Sequence, residues 1–110
     1  MLNLQQALER VGGDEGLLRE IARLFLDECP RLMTEIQQAI EANDSRRVER
    51  AAHSLKGSVA NFGADPVVKA ALDLETMGRG GDLAGADQGF VELSRQLEKL
   101  QPQLVSLAGE

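Results

Sequence analysis

Apolar residues recur at steps of three and four along most of this chain, and that spacing calls for helices. The longest seam is Phe90, Leu93, Leu97, Leu100, Leu104 and Leu107. At 3.6 residues per turn these positions line one face of an α-helix. The same period runs through Leu18, Ile21, Phe25, Leu32, Ile36 and Ile40, then through Val48, Ala52, Leu55, Val59 and Phe62. It returns in Val67, Val68, Ala71, Leu74 and Met77. No stretch alternates with period two over a useful length, so there is no good strand candidate. Four amphipathic helices with short connections predict an all-α, antiparallel up-down-up-down four-helix bundle. Residues 1–110 are enough for one domain around one core.

The punctuation agrees with this division. Leu4 to Val11 reads as a short N-terminal helix stopped by Gly12-Gly13. Asp14 caps the second helix, with Glu15 favourable in its first turn, and the pattern runs to about Ala42. Pro30 predicts a kink, because the apolar period continues across it. Leu17 and Leu24 widen one flank of this helix, and Leu26 and Met33 widen the other. The plainer reading is a broad face held between two neighbours; the other leaves one flank exposed for a partner. Asn43-Asp44-Ser45 makes a turn and cap, and the third helix runs to about Phe62 or Gly63. Asp65-Pro66 restarts the chain, with aspartate as cap and proline at the first helical position. That helix is expected to end at Gly78, with Gly78-Arg79-Gly80-Gly81 as a flexible loop and Asp82 as the next cap. Pro102 is expected to bend or fray the end of the last helix.

Composition removes several classes of function. A net charge of −6 argues against nucleic acid as a partner and against direct contact with anionic membranes. Aromatic content of 3%, without Trp or Tyr, leaves little for a base-stacking platform. The lone Cys29 cannot form an internal disulfide, which suits a reducing compartment. No run approaches the ~20 apolar residues of a membrane span, and Met1-Leu2-Asn3-Leu4-Gln5-Gln6 lacks the regions of a signal peptide. A soluble, cytoplasmic protein is the expectation. One His and one Cys cannot supply a structural zinc set, inward Glu-x-x-His motifs for a di-iron site are missing, and no phosphate loop of the Walker or kinase type occurs. No metal, intrinsic cofactor or ATP site is therefore expected.

The candidate chemistry centres on His53, the chain's only histidine. It sits roughly 140° around its helix from the apolar stripe and so points to solvent. Arg46, Arg50, Gly57 and Asn61 share its side. A glycine inside a helix costs ~1 kcal/mol relative to alanine. Gly57, one turn beyond the histidine, clears room for something bulky to approach, and Ala60 on the same flank is also small. Between Ser45 and Ser58 four bases (Arg46, Arg47, Arg50, Lys56) face one acid (Glu49), a local balance of +3. An exposed imidazole, a cleared approach and local positive charge suit chemistry on an anionic group such as phosphoryl.

His53-Ser54-Leu55-Lys56-Gly57, followed by Asn61-Phe62-Gly63-Ala64, resembles the signature of histidine-containing phosphotransfer (HPt) domains. Ala7-Leu8-Glu9-Arg10-Val11-Gly12-Gly13-Asp14 and Phe25-Leu26-Asp27-Glu28-Cys29-Pro30 also resemble the N-terminal parts of bacterial members. The resemblance implies a phosphoryl carrier in a two-component phosphorelay. His53 would accept phosphoryl from an aspartate on a receiver domain, of a response regulator or a hybrid sensor histidine kinase, and pass it to another. Mg2+ would belong to the receiver, and the carrier would be a monomer without its own ATP site. Lys56, ~60° around the helix from His53, is within reach of phosphoryl oxygens. Gly57 would give clearance, Arg50 would steer an acidic partner, and Ser54, Ala60 and Asn61 would lie on the partner-binding surface. A helical adaptor that binds proteins without chemistry is the alternative.

Overall fold

The computed structural model describes residues 2–109. Three aspartate or asparagine side chains start the first three helices by taking an orphan backbone N–H. Asn3 accepts from Gln6 N (3.0 Å) ahead of α1, Leu4–Arg10. Asp14 accepts from Leu17 N (3.0 Å) ahead of α2, Glu15–Glu41. Asp44 accepts from Arg47 N (3.2 Å) ahead of α3, Ser45–Ala60. Helices α4, Asp65–Gly80, and α5, Ala86–Ala108, complete the chain. Helix α2 passes Pro30 as one helix of 27 residues, and α5 passes Pro102.

The structure moves several expected boundaries. Helix α3 stops at Ala60, and the chain turns through Gly63 at φ +63°, a left-handed conformation that costs glycine little. Ala64 holds the N-cap position of α4 without a side-chain bond. Asp65 is thus the first helical residue, where its charge favours the helix dipole but does not cap. Helix α4 does not end at Gly78. It continues to Gly80, with Gly81 in the left-handed conformation, because Gly78 is buried where α4 meets α3 and only Gly81 needs positive φ. Asp82 accepts from Ala84 N (3.0 Å) in a turn before α5, whose N-cap is Gly85.

Helix α3 lies between α2 and α4, and α5 closes the other side against both. Short connections make each sequential neighbour antiparallel. The result is the predicted four-helix bundle, with overall extents of 40 × 22 × 18 Å. Among the described residues there is no strand. Helix α1 closes one end, where Asn3 N donates to Phe62 O (3.0 Å) and Leu2 N donates to Gln103 Oε1 (2.9 Å).

Leu18, Ile36, Leu55, Leu74, Leu93 and Leu100 fill the core, each burial contributing ~1.5–3 kcal/mol. Phe25 and Phe62 meet edge to face, with ring centres 5.6 Å apart. The two flanks of α2 have different fates. Leu26 and Met33 are half-buried against the core, whereas Leu17 and Leu24 stand 44% and 60% exposed. No helix among the described residues is long and apolar enough to cross a membrane.

Candidate functional site

Burial of Val48, Ala52, Leu55 and Val59 fixes the rotation of α3 and turns His53 outward, with its side chain 66% exposed. Across the seam, Ala71, Leu74 and Gly78 turn α4 inward and carry Glu75 with them. The Glu75 side chain is only 3% exposed, and it is the only buried charged residue among those described.

Three cationic or hydrogen-bonding groups surround this carboxylate. His53 Nδ1 lies 3.0 Å from Oε2, and Arg79 Nη2 donates to the same oxygen at 2.7 Å. Lys56 Nζ sits 2.6 Å from Oε1, out of hydrogen-bond alignment, so this contact is an ion pair. Burial pushes the Glu75 carboxyl up, but Lys56 and His53 outweigh it and hold the group below the usual carboxylate range. An ionised carboxylate can only accept. In the neutral ring the hydrogen therefore resides on Nδ1, leaving Nε2 with its lone pair.

Arg79 also reaches back to α3, where its Nε donates to Glu49 Oε2 at 3.1 Å. His53, Glu75 and Arg79 share an open depression of about 630 Å³ with Arg46, Arg50 and Ser54. The local excess of positive charge is partly spent within the fold. Arg47 pairs with Glu35, and Lys56 with Glu75, while Arg46 and Arg50 have no ion-pair partner among the described residues.

The sequence-selected residues divide accordingly. Arg50 and Ser54 line the depression with His53. Lys56 stands one side chain away on the shared carboxylate, 25% exposed. A Cβ built on Gly57 would meet nothing within 4 Å, so no neighbour inside the protein requires glycine there. Ala60 and Asn61 do not line the depression, and Asn61 Nδ2 instead donates to Ser58 O (3.1 Å) at the end of α3. Sequence reasoning missed Glu75 and Arg79. Glu75 had a signal: it is an acid on the apolar stripe, one turn after Ala71. Arg79 was hidden by assigning Gly78–Gly81 to a loop.

Residues 20–103 match the Hpt domain family. Histidine-containing phosphotransfer protein 2 of Oryza sativa subsp. japonica is 36% identical over 64 residues, which are 56% of this chain and 43% of that protein. The matched segment thus spans less than half the rice relative. Phosphorelay protein LuxU of Vibrio vulnificus is 26% identical over 98 residues, 89% of this chain and 84% of its own length. The crystal structure of histidine-containing phosphotransfer protein B (HptB) from Pseudomonas aeruginosa PAO1 superposes with a TM-score of 0.89 at 19% identity. That superposition covers 98% of this chain and 94% of the other, and it establishes likeness of fold.

Proposed function

The chain belongs to the Hpt domain family, and on that premise we propose that His53 is the phosphoryl-accepting residue of a phosphorelay carrier. The observation that carries this reading is the exposed imidazole with Nδ1 on a buried carboxylate. That pairing selects Nε2 as nucleophile and fixes the ring's orientation.

In the forward step the Nε2 lone pair attacks phosphorus of an aspartyl phosphate on a receiver domain. An N–P bond forms, the acyl P–O bond breaks, and its electron pair stays on the receiver's carboxylate. The phosphorylated ring retains its Nδ1 hydrogen and is cationic, and Glu75 offsets that charge through a charge-assisted hydrogen bond worth ~1.5–3 kcal/mol. In the second step a carboxylate of the next receiver attacks phosphorus, and the N–P electron pair returns to Nε2. Such transfer needs alignment and charge stabilisation more than covalent help from the carrier. The receiver would bring Mg2+, and the carrier would need neither its own ATP site nor a second copy. Lys56 can turn from Glu75 toward phosphoryl oxygens, Gly57 leaves the approach clear, and Arg46 and Arg50 present free positive charge to an acidic partner. A cytoplasmic setting, where receivers operate, completes the reading.

The test is incubation with a receiver carrying labelled phosphoryl. Acid-labile, base-stable label on this protein, lost in His53→Gln, is the expected result. Stable binding of receivers with no label transferred would leave only the adaptor function.

A further inference from the structure

Gly78 is not needed for a turn, since α4 continues through it to Gly80. Its surroundings give another reason for glycine. A Cβ at this position would stand 2.5 Å from Glu49 N, 2.7 Å from Ser45 O and 2.9 Å from Glu49 Cα. All three atoms are backbone of α3, so no side-chain rotation relieves the clash. The two helices therefore touch backbone to backbone here, as only glycine permits.

This contact lies next to the reactive pair. Glu49 precedes His53 by one turn on α3, and Glu75 precedes Gly78 by about one turn on α4. Because the helices are antiparallel, both steps run toward the same end of the bundle. The His53–Glu75 hydrogen bond thus lies ~5 Å along the seam from the Gly78 crossing. Arg79, the residue after Gly78, ties α4 to Glu49 at the crossing itself.

We propose that Gly78 is a positioning residue: its backbone contact with α3 sets the helix spacing that lets Glu75 hold the His53 ring by Nδ1. The inference rests on the reading of His53 as phosphoacceptor. A methyl group at 78 needs about 0.9 Å more room to reach ordinary van der Waals separation. A separation of that size opened between α3 and α4 one turn away is enough to stretch the 3.0 Å Nδ1–Oε2 bond past hydrogen-bond reach. Arg79 moves with the carboxylate on α4 and Lys56 follows it on a long flexible side chain, whereas the imidazole turns on two torsions.

The experiment compares Gly78→Ala with Gly80→Ala, whose added methyl meets nothing within 4 Å. Nitrogen-15 NMR reads the His53 tautomer, and label transfer from a phosphorylated receiver reads the rate. Gly78→Ala should shift the neutral ring away from the Nδ1–H form and slow phosphoryl acceptance by up to about a hundredfold, the scale of a 1 Å misplacement. Gly80→Ala should change neither. A folded Gly78→Ala protein with the wild-type tautomer and rate overturns the proposal.

Glu75→Asp separates this result from the underlying reading. It withdraws the carboxylate without moving a helix, so an unchanged tautomer and rate there would refute the role of Glu75 itself. A second measurement does not depend on the variant folding. In the wild-type protein, the nuclear Overhauser contact between Gly78 Hα and Glu49 HN should weaken on warming in step with the Nδ1–H population. Loss of one without the other overturns the proposal.

Discussion

The seam between α3 and α4 and the seam between α2 and α5 join similar amphipathic helices, yet they are filled in opposite ways. The first holds Glu75, buried and bound to His53, Lys56 and Arg79. The second carries a half-open groove of about 230 Å³ lined mainly by apolar side chains, among them Phe25, Leu26, Met33 and Leu97. Its one thiol, Cys29, is pushed up by burial to about 11 and is held as an unreactive thiol. A buried carboxylate costs several kcal/mol in desolvation and persists only if well paired. The α3–α4 seam accepts that cost and orients an imidazole, while the α2–α5 seam is packed mainly by apolar side chains. The buried charge and the apolar packing thus lie on different faces of one bundle.

The sharpest way to break this division is at His53. His53→Gln should lose all phosphoryl acceptance with only a small change in Tm, because the side chain is 66% exposed and Lys56 and Arg79 still pair with Glu75. A large fall in Tm would show that the ring carries part of the fold. Leu100→Ala, on the other seam, should do the reverse. It removes a fully buried side chain and should cost ~2–5 kcal/mol by denaturant unfolding, leaving the transfer rate of the folded protein unchanged.

Acid should distinguish the seams by charge. The Glu75 carboxyl is held below its ordinary value of 4.5, so its stabilising effect is complete above that pH and is lost as pH falls through the lowered folded value. Glu75→Gln should flatten this acid limb in urea titrations, and an unchanged limb would place the responsible group elsewhere. Gly57→Leu should slow transfer severalfold while shifting Tm only slightly, since its side chain would enter open space. The smallest effect is expected at Cys29, where alkylation at pH 7 should be slow and should quicken only as pH approaches its raised value.

These comparisons also show how legibility varies from residue to residue. His53 was readable because one period places it opposite the apolar stripe, and period is a local property. The caps at Asp14 and Asp44 were readable for the same reason. Gly78 was misread because glycine has two uses, ending a helix or admitting a neighbouring backbone, and local sequence looks the same for both. That error displaced Arg79 from α4 and concealed its link to Glu75 and Glu49. The exposed flank of α2, Leu17 with Leu24, could be named from the sequence only as one of two choices, since helix rotation across Pro30 depends on neighbours.

The sequence by itself determined the helical class, the number of long helices, the outward histidine and the family signature around it. All of these follow from residues within a few turns of one another. Tertiary structure decided that a glutamate twenty-two residues downstream holds the imidazole by Nδ1, and that two helices touch at a glycine beside it. Those facts depend on the distance and rotation between α3 and α4, which close packing of both surfaces sets.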